Sequence, residues 1–455
     1  MRRSGEGLPT SCGARSYAAA YAQRMGKGAA SGGSVRPPAS SDVLRIPAFA
    51  FFWSAVTLRS FGGAISGVAV QVLIVSVLVA TPVQISLLSA LGVLPYLFLG
   101  LIVGALMDRW RRQRTLVVAT IGQAVVLAAV PVLYLADALS FGSLAVVILV
   151  QGVLMLFTQS AEQPLLPHLV PRHSLVLANA RLGQSGTVAA TAGPAAAGVL
   201  LNVIAAPVLL AVDAVANVVA AVLQARIGAA EPRPARQSIG RHIGHDIVEG
   251  LQYTYRHPTL RPLALSVHTW FLGNSIVSTV FAVFVLRQLG LEAWAFGLAL
   301  TFGSVGGFLG ALLAPRVGAR FGAGRAILLG RALAVVPWLL FAVLPLTPGS
   351  GVAVLLSVAA AAQFVYGLAM GLEDANDTGY RQSVAPEVMQ GRMNSTIRTI
   401  NRVVFFFGAL LAGVLVTSFG YRTTLGLAAV VFAAATAVVW ITPLRSARLE
   451  HETGL

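Results

Sequence analysis

GLIVGALMDRWRRQR, residues 100–114, sits between two long apolar runs and sets one aspartate and four arginines on the end of a membrane-length segment. An imperfect copy, GGFLGALLAPR, returns at residues 306–316. It keeps the small residues and the basic follow-up (Arg316, Arg320, Arg325), with Ala314 and Pro315 where the aspartate would stand. A chain that repeats a helix–basic loop–helix element once per half is expected to be built from two similar halves.

Composition puts those halves in a membrane. Hydrophobic residues make up 56% and charged residues 11%, against about 25% charged in a soluble domain. The mean hydropathy is +0.79. The net charge of +16 comes from 31 arginines and Lys27 against 16 acids. Its distribution excludes a nucleic-acid partner: 29 of the 32 basic residues fall in the terminal tails or in alternate loops (107–116, 165–181, 226–261, 316–331, 381–402). The opposite loops hold only Arg287 and Arg422, and Arg59 lies inside a span. Such positive-inside asymmetry predicts a multi-pass plasma-membrane protein with both termini in the cytoplasm. Cys12 is the single cysteine, which excludes a disulfide framework and a cysteine metal site. Lys27 is followed by Gly28, so the chain carries no GxxxxGK[ST] phosphate loop.

Residues 1–45 read as a disordered cytoplasmic tail without an apolar core of signal-peptide length, and Met25 offers a second possible start. Twelve apolar runs follow, each near the ~20 residues a helix needs to cross the hydrocarbon. Six belong to an N-terminal bundle (46–226) and six to a C-terminal bundle (262–443), with a linker at 227–261 and a short tail at 444–455. The linker spaces Ile243, Ile247, Leu251 and Tyr255 by four, which predicts an amphipathic helix at the inner membrane surface or a solvated connector. A second repeat supports the duplication. Ala178-Asn179 and Gly193-Pro194…Gly198-Val-Leu recur as Met393-Asn394 and Gly408…Gly413-Val-Leu, both at an offset of 215. The expected fold is an all-α membrane protein of 12 transmembrane helices in two six-helix parallel repeats, an architecture of secondary transporters.

The segment Gly104-Ala-Leu-Met-Asp108-Arg109-Trp-Arg-Arg112 resembles the signature loop between helices 2 and 3 of the major facilitator superfamily, with Arg111 in place of the usual glycine. The resemblance runs over residues 45–443. It is nearest the branch of siderophore exporters and macrolide-efflux proteins, through LLPHLVPRHSLVLANA (165–180), LLAVDAVANVVAAVL (209–223) and YRQ…P…GRMNSTIR (380–398). It implies alternating access to a small-molecule site lined by helices 1, 4, 7 and 10, in a chain expected to be monomeric. It also implies that the GxxxG pairs Gly100/Gly104, Gly303/Gly307 and Gly306/Gly310, which permit close helix contact, form the seam between the halves. Gly186…Gly193-Pro194…Gly198 partly matches the family's antiporter motif, with Ala189 for one glycine, and favours export.

Charge supplies the candidate site residues. Asp108 ends helix 2, where it opposes the negative end of the helix dipole and needs a cation. Arg109, Arg112, Arg398 and Arg402 are candidates for a gate there; topology-setting charge at the lipid interface is the alternative. Glu162-Gln163-x-x-x-Pro167 aligns with Arg381-Gln382-x-x-x-Pro386, which suggests either a Glu162–Arg381 latch or two independent loop contacts. Ionised groups inside a span each cost about 2.5–3.5 kcal/mol, so Arg59, and Asp213 with Asn217 one turn on, stand out as substrate or proton-pathway residues. Snorkelling and packing are the alternatives. Gln71, His268 and Asn274 complete that set, with His268 close enough to its helix start to be interfacial instead. Glu373, Asp374 and Asp377 read as mostly solvated. With no nucleotide site, no metal cluster and no cofactor expected, the proton gradient is the energy source. At about 2.3 kcal/mol per 100 mV, one proton sustains a roughly 40- to 50-fold substrate gradient. Asp213 is the first choice of carrier and Glu162 the second, since a carboxylate whose burial changes between two states titrates as it moves. The main expectation is a proton-coupled exporter of a bulky organic compound (drug, siderophore or secondary metabolite). A non-transporting sensor or assembly partner with the same fold is the alternative. No catalytic cluster with ligand or triad spacing supports an enzyme.

Overall fold

The computed structural model describes residues 43–107, 109–229 and 243–448. Asp108, the tail to residue 42 and the linker stretch 230–242 lie outside the described residues, and so does the Asp108 gate. Among the described residues there is no strand, and twelve long helices build the bundle. In the first half, α1 (Pro47–Val72) runs into a π-helical turn, Leu73–Val77, and is followed by α2 (Pro82–Met107), α3 (Arg112–Leu135), α4 (Phe141–Leu165), α5 (Leu175–Leu200) and α6 (Ala206–Ala225). A linker helix, Ile243–Arg256, leads to α7 (Leu260–Val283), which also ends in a π-helical turn, Phe284–Gln288. Then come α8 (Ala293–Phe321), α9 (Ala323–Val343), α10 (Val352–Val384), α11 (387–419) and α12 (421–441).

Ten described stretches are long and apolar enough to cross a membrane, and the last, Met389–Ile441, holds two helices. They part at Gly420, whose φ of 79° interrupts the helical backbone where a Cβ would be disfavoured. α5 falls outside the ten because it is built from Gly, Ala, Ser and Thr rather than bulky apolar residues. It packs on α1 within its own half and on α8 of the other, so its weak hydropathy is the signature of a contact helix. Pro95, Pro131, Pro194, Pro315 and Pro337 lie inside helices, tolerated because neighbouring groups re-satisfy the freed backbone.

The two halves use one packing plan. α1 packs on α5 and α6, α3 on α4 and α6, and α2 on α4; likewise α7 packs on the α11–α12 segment, α9 on α10 and on that segment, and α8 on α10. Two seams join the halves, α5 on α8 and α2 on α11. The glycines of the 215-residue repeat sit on these surfaces. A Cβ on Gly198 would come within 3.0 Å of the Trp294 backbone on α8, and one on Gly413 within 2.2 Å of Ser86 Oγ on α2. Gly193 and Gly408 turn inward to Ala64 on α1 and Ser275 on α7.

The GxxxG pairs expected at the seam do something else. Gly306 and Gly310, with Gly367 and Gly371 opposite, bring α8 against the α10 backbone inside the C-terminal half, where a Cβ on Gly306 would meet Phe364 O at 2.1 Å. Among the described residues a Cβ on Gly100 or Gly104 would meet nothing within 4 Å. The linker helix packs on the C-terminal bundle. Gly250 allows it to approach Arg392 O and Thr396 on α11, Glu249 pairs with Arg392 at 2.6 Å, and Thr254 is fully buried. Val248 and Leu251 remain exposed; the side chains of Ile243 and Ile247 lie outside the described residues. The start of the C-terminal tail folds back on α9, where Gly324 N donates to Ala447 O at 3.0 Å and Leu444 is buried.

A substitution tests the α5–α8 seam. A Cβ on Gly297 would stand 2.4 Å from the Pro194 carbonyl oxygen, a backbone atom that cannot swing aside. Gly297→Leu should hold the halves apart there, at a cost of about 1–3 kcal/mol or more, and lengthen the distance between spin labels on α5 and α8. Gly104→Leu should leave it unchanged; equal effects from both would contradict the assignment.

Candidate functional site

A cavity of about 460 Å³ lies between α1, α2, α3, α4, α6 and the far part of α7. Its polar wall comes from Arg59, Gln71, Gln123, Gln151, Asp213 and Asn217, and the rest is mainly small and aliphatic. Four of the six predicted pathway residues (Arg59, Gln71, Asp213, Asn217) therefore meet at one cavity. Asp213 is 5% exposed on α6. Asn217 Nδ2, one turn along, donates to its Oδ1 at 2.8 Å and to its backbone carbonyl at 2.9 Å. Gly62 on α1 leaves room for the carboxylate, since a Cβ there would lie 2.4 Å from Asp213 Oδ1. Arg59 is near enough to act on Asp213 electrostatically, but its Nη1 pairs with Glu162 Oε2 at 2.9 Å. Two carboxylates thus share one guanidinium beside an apolar cavity.

The Glu162–Arg381 latch is not formed in this conformation. Glu162 is held by Arg59 of α1, and Arg381 pairs with Asp377 one turn back at 2.7 Å while reaching Asn394. Each charge finds a partner inside its own half. Two expectations about the C-terminal half also need correction. Arg331, assigned to a loop, lies inside α9 at 2% exposure and pairs with Glu373 of α10 at 3.0 Å, its guanidinium 5.4 Å from the Trp270 ring centroid. Glu373 and Asp377 are buried, and only Asp374 of the three acids is exposed. Hydropathy along one helix cannot register a counter-ion on the next, and so these buried pairs escaped the sequence reading.

His268 and Asn274 stand away from the cavity. Asn274 Oδ1 accepts from Tyr366 Oη at 2.7 Å, tying α7 to α10. His268 joins three elements: Asn401 Oδ1 on α11 can only accept, so Nδ1 carries the proton (2.6 Å) and Nε2 accepts from Tyr255 Oη of the linker helix (2.6 Å). Burial pushes the Tyr255 hydroxyl above its ordinary value, which keeps it a donor. His268 is thus a junction between the linker helix and the C-terminal bundle. Of the gate candidates, Arg112 donates to Pro164 O and His168 Nε2, bracing the α2–α3 loop on the end of α4. Arg402 lies 3.7 Å above the Tyr96 ring, a cation–π contact across the α2–α11 seam. Arg398 and Arg109 are exposed. Gly193-Pro194 packs on both α1 and α8.

The end opposite the arginine-rich loops is bridged across the halves by a residue that counts only as loop charge in the sequence. Arg287, in the π-helical turn after α7, donates through Nε to Val75 O at 3.1 Å and through Nη1 to Ala80 O at 2.8 Å. The two π-helical turns touch each other there. Between the two acceptors Val79 has φ 48°, and Gly290 stands at the matching place in the other half with φ 68°. The glycine adopts that backbone freely, whereas a β-branched residue is strained in it. The Arg287 hydrogen bonds brace the strained turn, and the place of Arg287 as one of two cations in the loops at this end, with Arg422, is the available signal.

The sequence profile of the Major Facilitator Superfamily matches residues 52–409. An uncharacterised transporter of the same type from Mycobacterium tuberculosis is 36% identical over 147 residues, 31% of this chain, so the match spans about a third (33%) of that relative's length. The multidrug efflux pump Tap of Mycolicibacterium fortuitum is 27% identical over 349 residues, covering 74% of this chain and 82% of Tap. In three dimensions the chain is similar to a point mutant of the nucleoside transporter NupG (TM-score 0.71, 12% identity, 87% of this chain and 99% of that chain). It is also similar to a bacterial homologue of the iron transporter ferroportin in its inward-facing state (TM-score 0.70, 17% identity, 88% and 98%). At these identities the structural likeness establishes the fold alone. The family profile, the paired packing plan and the two seams agree: the chain belongs to the Major Facilitator Superfamily of membrane transporters.

Proposed function

We propose that this transporter is a proton-coupled exporter of bulky organic compounds, working by alternating access in the plasma membrane with its arginine-rich end and both termini in the cytoplasm. The observation that carries the reading is Asp213, a buried carboxylate in the cavity wall whose nearest cation is committed to a second carboxylate. A low-dielectric site tolerates one extra negative charge poorly. Proton uptake and release at Asp213, with Glu162 as the alternative acid, then accompanies any change in how Arg59 is shared. The mainly apolar cavity, with few fixed charges, suits an amphipathic organic substrate. Export is supported by the clamp at the end away from the arginines, which leaves loading to the cytoplasmic side, and by the Gly193-Pro194 segment at the seam. The likeness to Tap, a multidrug efflux pump, points the same way.

The test is drug efflux from energised membrane vesicles against a panel of cationic and neutral dyes, with and without an uncoupler. The wild-type protein should hold a dye gradient of roughly 40- to 50-fold per 100 mV. Asp213→Asn should lose that gradient yet keep downhill exchange, and Glu162→Gln should be impaired less. Gradient-driven export that survives neutralisation of both acids would overturn the coupling assignment.

Alternating access also requires the Arg287 clamp to open. Arg287→Ala removes hydrogen bonds from a charged donor, each worth about 1.5–3 kcal/mol. In a Cys12→Ser background it should raise labelling of a Thr279→Cys probe in the cavity wall by an external, membrane-impermeant maleimide about tenfold. Unchanged labelling would show that the clamp does not hold that side shut.

A further inference from the structure

A second cavity, of about 660 Å³, lies outside the transport site, between the α2–α3 loop, α3 and α4. Arg109, Arg111 and Arg114 contribute its basic rim, and Trp110, Val118 and Phe157 part of its wall. Trp110 and Phe157 stack nearly parallel, with ring centroids 6.0 Å apart at 11°. Among the described residues none of the three arginines makes an ion pair or a side-chain hydrogen bond, although three like charges within six residues repel one another. Their neighbour Arg112 is engaged at the end of α4.

The apolar wall continues away from the arginines. Val118, Ile121, Val125 and Val132 are 69%, 48%, 65% and 63% exposed along α3, a stripe facing the lipid. Cations without an ion pair among the described residues, at one end of an open apolar groove with an aromatic anchor between them, match a molecule that has an anionic head and hydrocarbon tails. A soluble phosphate would have no use for the stripe, and bare topology-setting charge would have no use for the stacked rings. The related loop of the other half is built differently: Arg320 lies over Phe321 at 5.4 Å.

We propose that this groove is a binding site for an anionic phospholipid, its phosphate on Arg111, Arg114 and Arg109 and an acyl chain along Val118 and Leu154. The site is separate from the substrate cavity, and the proposal does not depend on proton coupling or on the direction of transport.

Native mass spectrometry of the full-length protein, titrated with dioleoylphosphatidylglycerol or dioleoylphosphatidylcholine, tests it. The anionic lipid should bind first and more tightly. Arg111→Gln with Arg114→Gln, both exposed positions, should weaken that binding roughly 30-fold, as two basic side chains at an anionic headgroup imply. Arg316→Gln with Arg320→Gln, at the related loop, should leave it unchanged, and glycerol 3-phosphate should not compete. Equal binding of the two lipids, equal losses from the two double variants, or full competition by glycerol 3-phosphate would each overturn the proposal.

Discussion

A charge inside a membrane-spanning bundle must find its opposite close at hand, and the arrangement of this protein follows from how it meets that demand. In the C-terminal half the demand is met evenly. Arg331 answers Glu373 and Arg381 answers Asp377, two cations for two acids, with Arg331 also against Trp270. Losing one member of such a buried pair costs about 3–5 kcal/mol because the other is stranded. In the N-terminal half the account is uneven: Arg59 is bonded to Glu162 while Asp213 faces the same cavity. Three ionisable groups with one cation among them can rearrange by exchanging a proton. The two halves therefore differ in how their buried charge is balanced.

Shape is the more symmetric property. Between helices in lipid there is little hydrophobic driving force, so association depends on close van der Waals contact and on small residues that allow it. Gly198 against Trp294 and Gly413 against Ser86 are related seam contacts, and both fall near the end that Arg287 clamps. Contacts without large side chains can part and re-form without leaving cavities behind. The heavier aromatic packing, such as Phe281 with Trp338 and Phe341, stays inside one half, as rigid-body rocking of two bundles requires.

Much of this was legible in the chain. The 215-residue repeat found the glycines of both seams, the apolar runs found all twelve helices, the small-residue α5 among them, and the cost of intramembrane charge singled out Arg59 and Asp213. The misreadings share a cause. A glycine pair specifies that something comes close without specifying what, so Gly306/Gly310 was assigned to the seam although it faces α10. The aligned opposite charges Glu162 and Arg381 leave a latch and two independent contacts equally open in the sequence, and in this conformation each has a partner in its own half, Arg59 on α1 and Asp377 on α10. Arg331 and Glu373 looked like loop and surface charge because their pairing exists only between helices. His268 looked like a pathway residue, and its partners Tyr255 and Asn401 lie 13 and 133 residues away.

The central claim is that Asp213 exchanges a proton inside the membrane. Infrared absorption of the protein in a hydrated lipid film, recorded through a pH titration, measures it without any substrate. The account predicts that a component of the protonated-carboxyl stretch titrates in the wild-type protein, is lost in Asp213→Asn and is retained in Glu373→Gln. A titrating band that persists unchanged in Asp213→Asn would contradict it.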